Sequence, residues 1–404
     1  ISNSIIKNCY ASYNSGGRGG GLYAMGSDLD IINSEFISNL AYYSGGGAYV
    51  SGGNHNFLNA NFLYNQSRIG GGSTVNSSSS LVMENVDFIE NLAIDPGGFW
   101  PGKGGGLNIS QSSGPSSYEN VNFIRNISSS EGGGMKTTGL GDDPTFLDCN
   151  FVENSALSGG GLYIVGAGLG NRSMSGISFI DNSADCGGAI TLYDLTQGIL
   201  ELYNLTFVNN SYAICNSDGE DFTANYSNFY NNGFGLINND NSTISNALNN
   251  YWGHSSGPYH PSQNPTGLGD SVNAFVNIDP WLTTPNTDAP PIPAQNTTVT
   301  GTGNDFISLN WDASELGDLS GYKLYFDTDS SGYPYANSID VGNVTSYLLS
   351  NLSLGTTYYF AVTTYDTDGN ESWFSNEVSG VTRVLEVQNI NIGVNENRMH
   401  IIDH

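Results

Sequence analysis

Few residues of this 404-residue chain stand where they could do chemistry. Asp142-Asp143 is an adjacent carboxylate pair, and glycoside hydrolysis uses paired carboxyl groups. An aspartate pair at a loop tip is more often solvated charge. The alternative reaction, elimination beside a uronate carboxylate, needs a Lys or Arg base close to calcium-binding acids. Up to residue 284 the only basic side chains are Lys7, Arg18, Arg68, Lys103, Arg125, Lys136 and Arg172, and none sits in a recognisable elimination motif. A binding role is easier to place. The stretch Asp95–Lys103 carries Phe99 and Trp100, which could stack on a sugar face, with Lys103 positioned to meet a carboxylate or sulfate. The same rings could instead fold back over the chain. Asp366-Thr-Asp368-Gly-Asn370 has calcium-loop composition, but its glycine is misplaced for an EF-hand and its flanks read as strands, so a hairpin turn is expected. Asp327 and Asp329 are read the same way. His254 and His260 are read as surface.

The elements that position these residues follow from a repeat. Triple glycines recur at 19–21, 45–47, 70–72, 104–106, 132–134 and 159–161, fading to Gly187-Gly188-Ala189. Between them stands Phe-x-x-Asn, at Phe36/Asn39, Phe62/Asn65, Phe88/Asn91, Phe123/Asn126, Phe151/Asn154, Phe179/Asn182, Phe207/Asn210 and Phe229/Asn232. Most copies are 22–28 residues apart, and the single step of 35 holds the Trp100 insertion. A fixed landmark drifting around one period marks a solenoid. Apolar residues alternate after each glycine run (Leu22/Ala24, Ala48/Val50, Leu107/Ile109, Leu162/Ile164, Ile190/Leu192), which is strand periodicity. Two more short strands per repeat read from Leu29-x-Ile31 and from Val86-x-Phe88. Three strands per turn predict a parallel β-helix with coils about 4.8 Å apart.

Three residues before each Phe stand Asn33, Asn59, Asn85, Asn120, Asp148, Gly176 and Asn204, types that tolerate the left-handed backbone of a sharp bend. Tyr226 breaks this pattern. The Asn of Phe-x-x-Asn marks a second corner and suits a stacked amide ladder. The glycines read as corners, since a phosphate loop would need a following helix and a Lys-Ser/Thr pair. If Leu22 and Ala24 point inward, the outward row is Tyr23, Tyr49, Thr74, Asn108, Lys136, Tyr163 and Thr191. Such a flat row, with Tyr23, Tyr49, Tyr163 and Lys136 on it, suits an extended glycan. Tyrosine's preference for exposed strands explains it as well.

No cysteine pair has CxxC spacing, so a zinc site is not indicated. Cys149 occupies an inward position and is expected as a buried thiol. Cys186 and Cys215 follow successive Phe landmarks by seven and eight residues, which brings their Cα atoms near disulfide distance, ~5.5 Å.

Phe-x-x-Asn alternating with Gly187-Gly188-Ala189-Ile190 resembles the repeats of polymorphic outer-membrane proteins. More broadly, residues 1–284 resemble the right-handed parallel β-helix of the pectin-lyase-like superfamily. Asn250-Tyr251-Trp252-Gly253 with Gly257-Pro258 is similar to the segment that closes such helices. The resemblance implies a fold rather than an activity, because lyases, hydrolases, adhesins and phage spikes share it. Of the polygalacturonase-like motifs only the aspartate pair is present.

A Pro-rich stretch, 285–295, reads as a stiff linker. Residues 296–383 resemble a fibronectin type III β-sandwich, with Trp311 in the core and Tyr358 as the tyrosine-corner residue. The segment 384–404 shows an alternation at Ile390, Ile392 and Val394 and stays unassigned.

The formal charge of −28 disfavours nucleic acid and anionic membrane as partners. No apolar run is long enough to cross a membrane as a helix. The chain opens within a repeat and is read as a mature or truncated piece of a secreted protein. These observations together predict an all-β, secreted or cell-surface protein serving adhesion, surface structure or glycan binding. The alternatives are a lyase or hydrolase acting on acidic polysaccharide, and a structural element that self-associates through an open coil. No cofactor is expected, and no specific motif supports calcium.

Overall fold

The computed structural model describes residues 1–95, 98–112, 114–140, 144–166, 172–195, 199–219, 221–328 and 332–383. The Asp142-Asp143 pair, Asp329 and the 384–404 segment lie outside the described residues. The chain forms two compact units, one running from Ile1 to Ile292 and the other beginning at Pro293.

The first unit is a parallel β-solenoid of about nine turns. The strand after each glycine run enters a nine-stranded parallel sheet, from Leu22–Met25 and Ala48–Ser51 up to Leu236–Asn238. The Phe landmarks lie in a second, ten-stranded sheet, from Ile5–Lys7 to Asn228–Tyr230. In the early coils the two strands expected ahead of the Asn merge into one bent strand, as in Asn54–Leu63 and Ser80–Ile89. Later coils separate them, and Arg172–Met174 begins a five-stranded sheet of its own. A further short five-stranded sheet, from Tyr10–Ala11 to Ile127–Ser128, follows the Asn corner in the N-terminal half.

Register explains why this sequence closes into identical coils. Phe36, Phe62, Phe88, Phe123, Phe151, Phe179, Phe207 and Phe229 stack ring on ring inside the bore, and Trp252 stacks on Phe229 as the last member. Centroid spacings run from 4.3 Å at Trp252 to 5.2 Å between Phe179 and Phe207, close to the strand spacing. A second ladder runs beside it. The Asn154 backbone N–H and its Nδ2 both donate to Asn182 Oδ1, each at 3.0 Å, while Nδ2 also donates to Phe123 O at 2.7 Å. The same three bonds recur from Asn65 to Asn210, so each amide satisfies groups on both neighbouring coils. The Asn-to-Asn bonds of this ladder all run one way, so its last member, Asn232, needs an acceptor on the closing segment. Asp270 supplies it: Asn232 N–H donates to Oδ1 at 3.1 Å and Asn232 Nδ2 to Oδ2 at 2.7 Å. Burial raises the Asp270 carboxyl to about 7, against the partial relief given by those bonds.

The first set of corners lies where expected. Asn33, Asn59, Asn85, Asn120, Asp148, Gly176 and Asn204 all have φ between 48° and 68°. Tyr226, the residue that breaks the composition rule, still adopts φ 52°. At the second corner the left-handed residue is the one before the ladder Asn: Ser38, Tyr64, Glu90, Arg125, Glu153, Asp181, Asn209 and Asn231. Several of these types seldom adopt that conformation, and the ladder bonds hold them there. The glycine runs have two functions. Gly45 turns the chain at φ 68°, whereas a Cβ on Gly46 would meet Gly71 O of the next coil at 2.2 Å. The runs are corners and also points of close coil contact.

The proline-rich stretch is not a free spacer over its first half. Asn286 N–H donates to Asn228 Oδ1 at 2.8 Å, Asn228 Nδ2 returns a bond to Asn286 O at 3.0 Å, and Thr206 Oγ1 donates to Pro290 O. This segment is therefore strapped to the outside of the last coils by side chains the linker composition did not reveal. His260 also departs from expectation. It is fully buried, its Nδ1 accepting from Ser262 N–H at 3.1 Å and Gln263 N–H at 2.8 Å, so it closes a tight turn rather than lying on the surface.

The second unit is an antiparallel sandwich. Thr298–Thr302, Phe306–Asn310 and Ser346–Ser350 face a four-stranded sheet of Asn337–Gly342, Leu319–Asp327, Thr357–Asp366 and Val378–Val381. Trp311 is buried against Tyr322, and Ser353 N–H donates to the Tyr358 hydroxyl at 3.0 Å, the tyrosine-corner bond. Asp366 accepts from the N–H groups of Asp368 and Asn370 at 3.0 and 2.8 Å, so its carboxylate closes a hairpin turn.

Candidate functional site

The outward row of the nine-stranded sheet has the expected register: Tyr23 pairs with Tyr49, Tyr49 with Thr74, Thr74 with Asn108, Asn108 with Lys136, Lys136 with Tyr163 and Tyr163 with Thr191. It is not the open aromatic surface that alternation suggested. Tyr23 is 49% exposed, but Tyr49, Lys136 and Tyr163 are 6–7% exposed. The cause is a neighbouring row. The residues just before each glycine run (Arg18, Ser44, Ile69, Lys103, Glu131, Ser158 and Cys186) bridge one another coil to coil, and the outward row leans against them. The Thr74 and Thr191 hydroxyls donate to Ile69 O and Cys186 O, at 3.0 and 2.7 Å. Lys136 Nζ reaches Glu131 Oε2 at 2.6 Å, with Lys103 Nζ 3.5 Å from the same oxygen.

At the N-terminal end of this edge the side chains form an alternating stack. Tyr23 and Tyr49 stack at 5.4 Å. Arg18 lies over Tyr49 at 5.3 Å and over Tyr43 at 5.5 Å, and Arg68 lies over Tyr43 at 5.3 Å and over Trp100 at 5.1 Å. Two guanidinium groups are thus held between three aromatic rings. Neither arginine belongs to any of the four ion pairs among the described residues. Trp100 is 62% exposed and Phe99 87% exposed. Asp95 Oδ2 accepts the N–H groups of Phe99 and Trp100 at 2.7 and 3.1 Å, which fixes the loop that presents both rings.

Of the residues singled out from sequence, Tyr23, Tyr49 and Trp100 come together in one stack, and Lys103 with Lys136 in another cluster around Glu131. Phe99 makes no ring contact, and Tyr163 lies further along the edge, stacked on Tyr193 at 6.3 Å. The sequence reading missed Arg18, Tyr43, Arg68 and Glu131. Their signal was present, since all four fall one or two residues before a glycine run. Four of the solenoid's seven basic residues, Arg18, Arg68, Lys103 and Lys136, stand on this edge. In a chain of charge −28 that is a local inversion of sign.

Cys186 of the corner row and Cys215 of the outward row are joined by a disulfide with Cα atoms 5.5 Å apart. Cys149 is a buried free thiol, which desolvation pushes up to about 12, so it stays protonated and unreactive. Among the described residues no group of three or more His, Cys, Asp or Glu side chains is placed to hold a metal ion.

Comparison with known proteins separates the two units. A kelch domain-containing protein of Saccharolobus solfataricus is 37% identical over 83 residues, 20% of this chain and 11% of that protein. A kelch domain-containing protein of Sulfurisphaera tokodaii is 30% identical over 121 residues, 26% of this chain and 15% of that protein. The chain therefore spans only a small part of the length of these relatives. Among solved structures, the fibronectin type III domain of human fibronectin type III domain containing protein 3 is 28% identical, covering 24% of this chain and 88% of that one, with a TM-score of 0.21. The fibronectin type III domain family matches residues 290–381. Residues 290–381 are a fibronectin type III domain, carried behind a parallel β-solenoid.

Proposed function

We propose that this protein is an extracellular or cell-surface solenoid that binds acidic polysaccharide along the edge bearing Arg18, Tyr43, Arg68, Phe99 and Trp100. A β-helix joined to a fibronectin type III domain fits an extracellular or surface structural protein. The Cys186–Cys215 disulfide supports the same compartment, since such bonds persist in oxidising surroundings. The observation that carries the binding reading is the pair of arginines, each held over aromatic rings and in no ion pair among the described residues. Guanidinium groups offer several parallel donors to a carboxylate or sulfate, and the exposed Trp100 and Phe99 faces suit the apolar side of a sugar ring. The resemblance of the solenoid to the pectin-lyase-like β-helix and to surface-protein repeats agrees with this assignment, and the fibronectin domain acts as a spacer or docking unit.

Native electrophoresis through gels containing polygalacturonate, dextran sulfate or hydroxyethyl cellulose tests it. Net charge repels the whole chain from both polyanions, so retardation there reports a local site. The expected result is retardation in at least one anionic gel, weakened by added salt and by Trp100→Ala, with none in the neutral gel. Free migration in both anionic gels, or equal retardation in the neutral one, overturns the assignment.

A further inference from the structure

One covalent tie between coils is already present, the disulfide from Cys186 of the corner row to Cys215 of the outward row. Three coils below, the same row brings together a second set of reactive groups. Asn108 and Lys136 are register partners on neighbouring strands, Leu107–Ser112 and Met135–Leu140, and each is only 7% exposed. Neighbouring strands lie about 4.8 Å apart, less than the reach of a lysine side chain. The Lys136 amine is 2.6 Å from the Glu131 carboxylate, and Lys103 Nζ is 3.5 Å from that same oxygen. Tyr163 is the register partner of Lys136 on the next coil and Thr74 that of Asn108 on the coil below, both buried. None of the hydrogen bonds among the described residues engages the Asn108 carboxamide, so its carbon is not held away by a competing partner.

We propose that Lys136 and Asn108 join in an intramolecular isopeptide bond, with Glu131 as the proton carrier. Glu131 takes a proton from the Lys136 ammonium, and the neutral amine adds its lone pair to Asn108 Cγ, forming the new C–N bond. The carboxyl group then delivers its proton to the departing amide nitrogen and the original Cγ–Nδ2 bond breaks; the carboxylate takes the second proton from the newly bonded nitrogen and passes it to the ammonia, which leaves as ammonium. One amine and one primary amide become one secondary amide and one ammonia, with no oxidant or cofactor required. Burial favours the neutral amine, and the nearby Lys103 charge pushes in the same direction, against the opposing pull of Glu131. The product would tie the coil that carries the Trp100 loop to the one above it. Coils of a solenoid are otherwise held only by contacts with their neighbours.

Mass spectrometry of the denatured, reduced full chain decides the matter, followed by peptide mapping. The expected mass is that of the sequence less one ammonia, with a branched peptide joining the segments that hold Asn108 and Lys136. Glu131→Gln, checked for folding by its β-sheet circular dichroism, should return the chain to the full sequence mass. Lys136→Arg should do the same. The parent at full sequence mass overturns the proposal. Ammonia loss without a branched peptide, which is the mark of a cyclised asparagine, overturns it equally. A crosslink that persists in folded Glu131→Gln removes Glu131 from the step.

Discussion

Along the Phe and Asn ladders inside the solenoid, coil after coil repeats the same residue, whereas the row on the outside of the glycine-run sheet changes at almost every step. Phe follows Phe through eight coils until Trp252, and Asn follows Asn until Asp270. Outside, the order is Tyr23, Tyr49, Thr74, Asn108, Lys136, Tyr163, Thr191 and Cys215. The two rows lie in different sheets of the same coils and share the coil spacing, so that spacing is not the cause of the difference. A ladder position must fit the residue directly above and below it, and identical rings or amides stack well at a 4.8 Å repeat. An outer position can meet solvent, a corner side chain or a ligand. Repetition therefore marks what holds this fold, and departure from repetition marks where to look for chemistry.

The contrast is open to attack at several points. Phe151→Ala removes a ring from the middle of the inner stack, between Phe123 and Phe179 at 4.5 and 4.9 Å. It should cost about 3–5 kcal/mol in chemical denaturation. A loss below ~1 kcal/mol would mean the ladder is not what holds the coils. Asp270→Asn addresses the ladder's end. A carboxyl raised from 3.8 to about 7 in the fold is protonated more readily there than in the unfolded chain. Its contribution is therefore full below pH 4 and is lost as pH rises through 7, by on the order of 2–4 kcal/mol. Asparagine, which does not ionise, should remove that loss. The variant should melt higher than the parent at pH 8 and close to it at pH 4, and a difference independent of pH would contradict the assignment. The smallest effect is expected at Tyr226, the one first-corner residue of the wrong type. Tyr226→Asn keeps the φ of 52° with a residue that tolerates it, and should add roughly 0.5–1 kcal/mol.

The sequence disclosed the inner rows almost completely, because a side chain repeated at one period can be read without knowing the coil's cross-section. Asn33 and its equivalents also gave away the first corner through their chemistry. The second corner was displaced by one residue, since Tyr64, Glu90 and Arg125 carry no mark of the left-handed conformation that the ladder imposes on them. The exposure of the outer row was hidden for a different reason. Alternation says which way Tyr49 points but not that Arg18 lies across it. Aligning the residues before each glycine run would have placed Arg18, Lys103 and Glu131 in one column, with Tyr43 and Arg68 in the column before it. What that alignment could not give is the lean of one row upon the next, which sets distances such as 2.6 Å between Lys136 and Glu131.

The central claim is that fold and binding reside in different rows, and one double variant tests it most directly. Arg18→Gln with Arg68→Gln removes both guanidinium groups from the stack of Tyr49, Tyr43 and Trp100 while leaving the Phe and Asn ladders intact. Thermal midpoint and retardation in polygalacturonate and dextran sulfate gels would be read on the same preparation. The account predicts an unchanged midpoint and the loss of retardation. Full retardation at an unchanged midpoint would contradict it, as would a fall in stability comparable to that of Phe151→Ala.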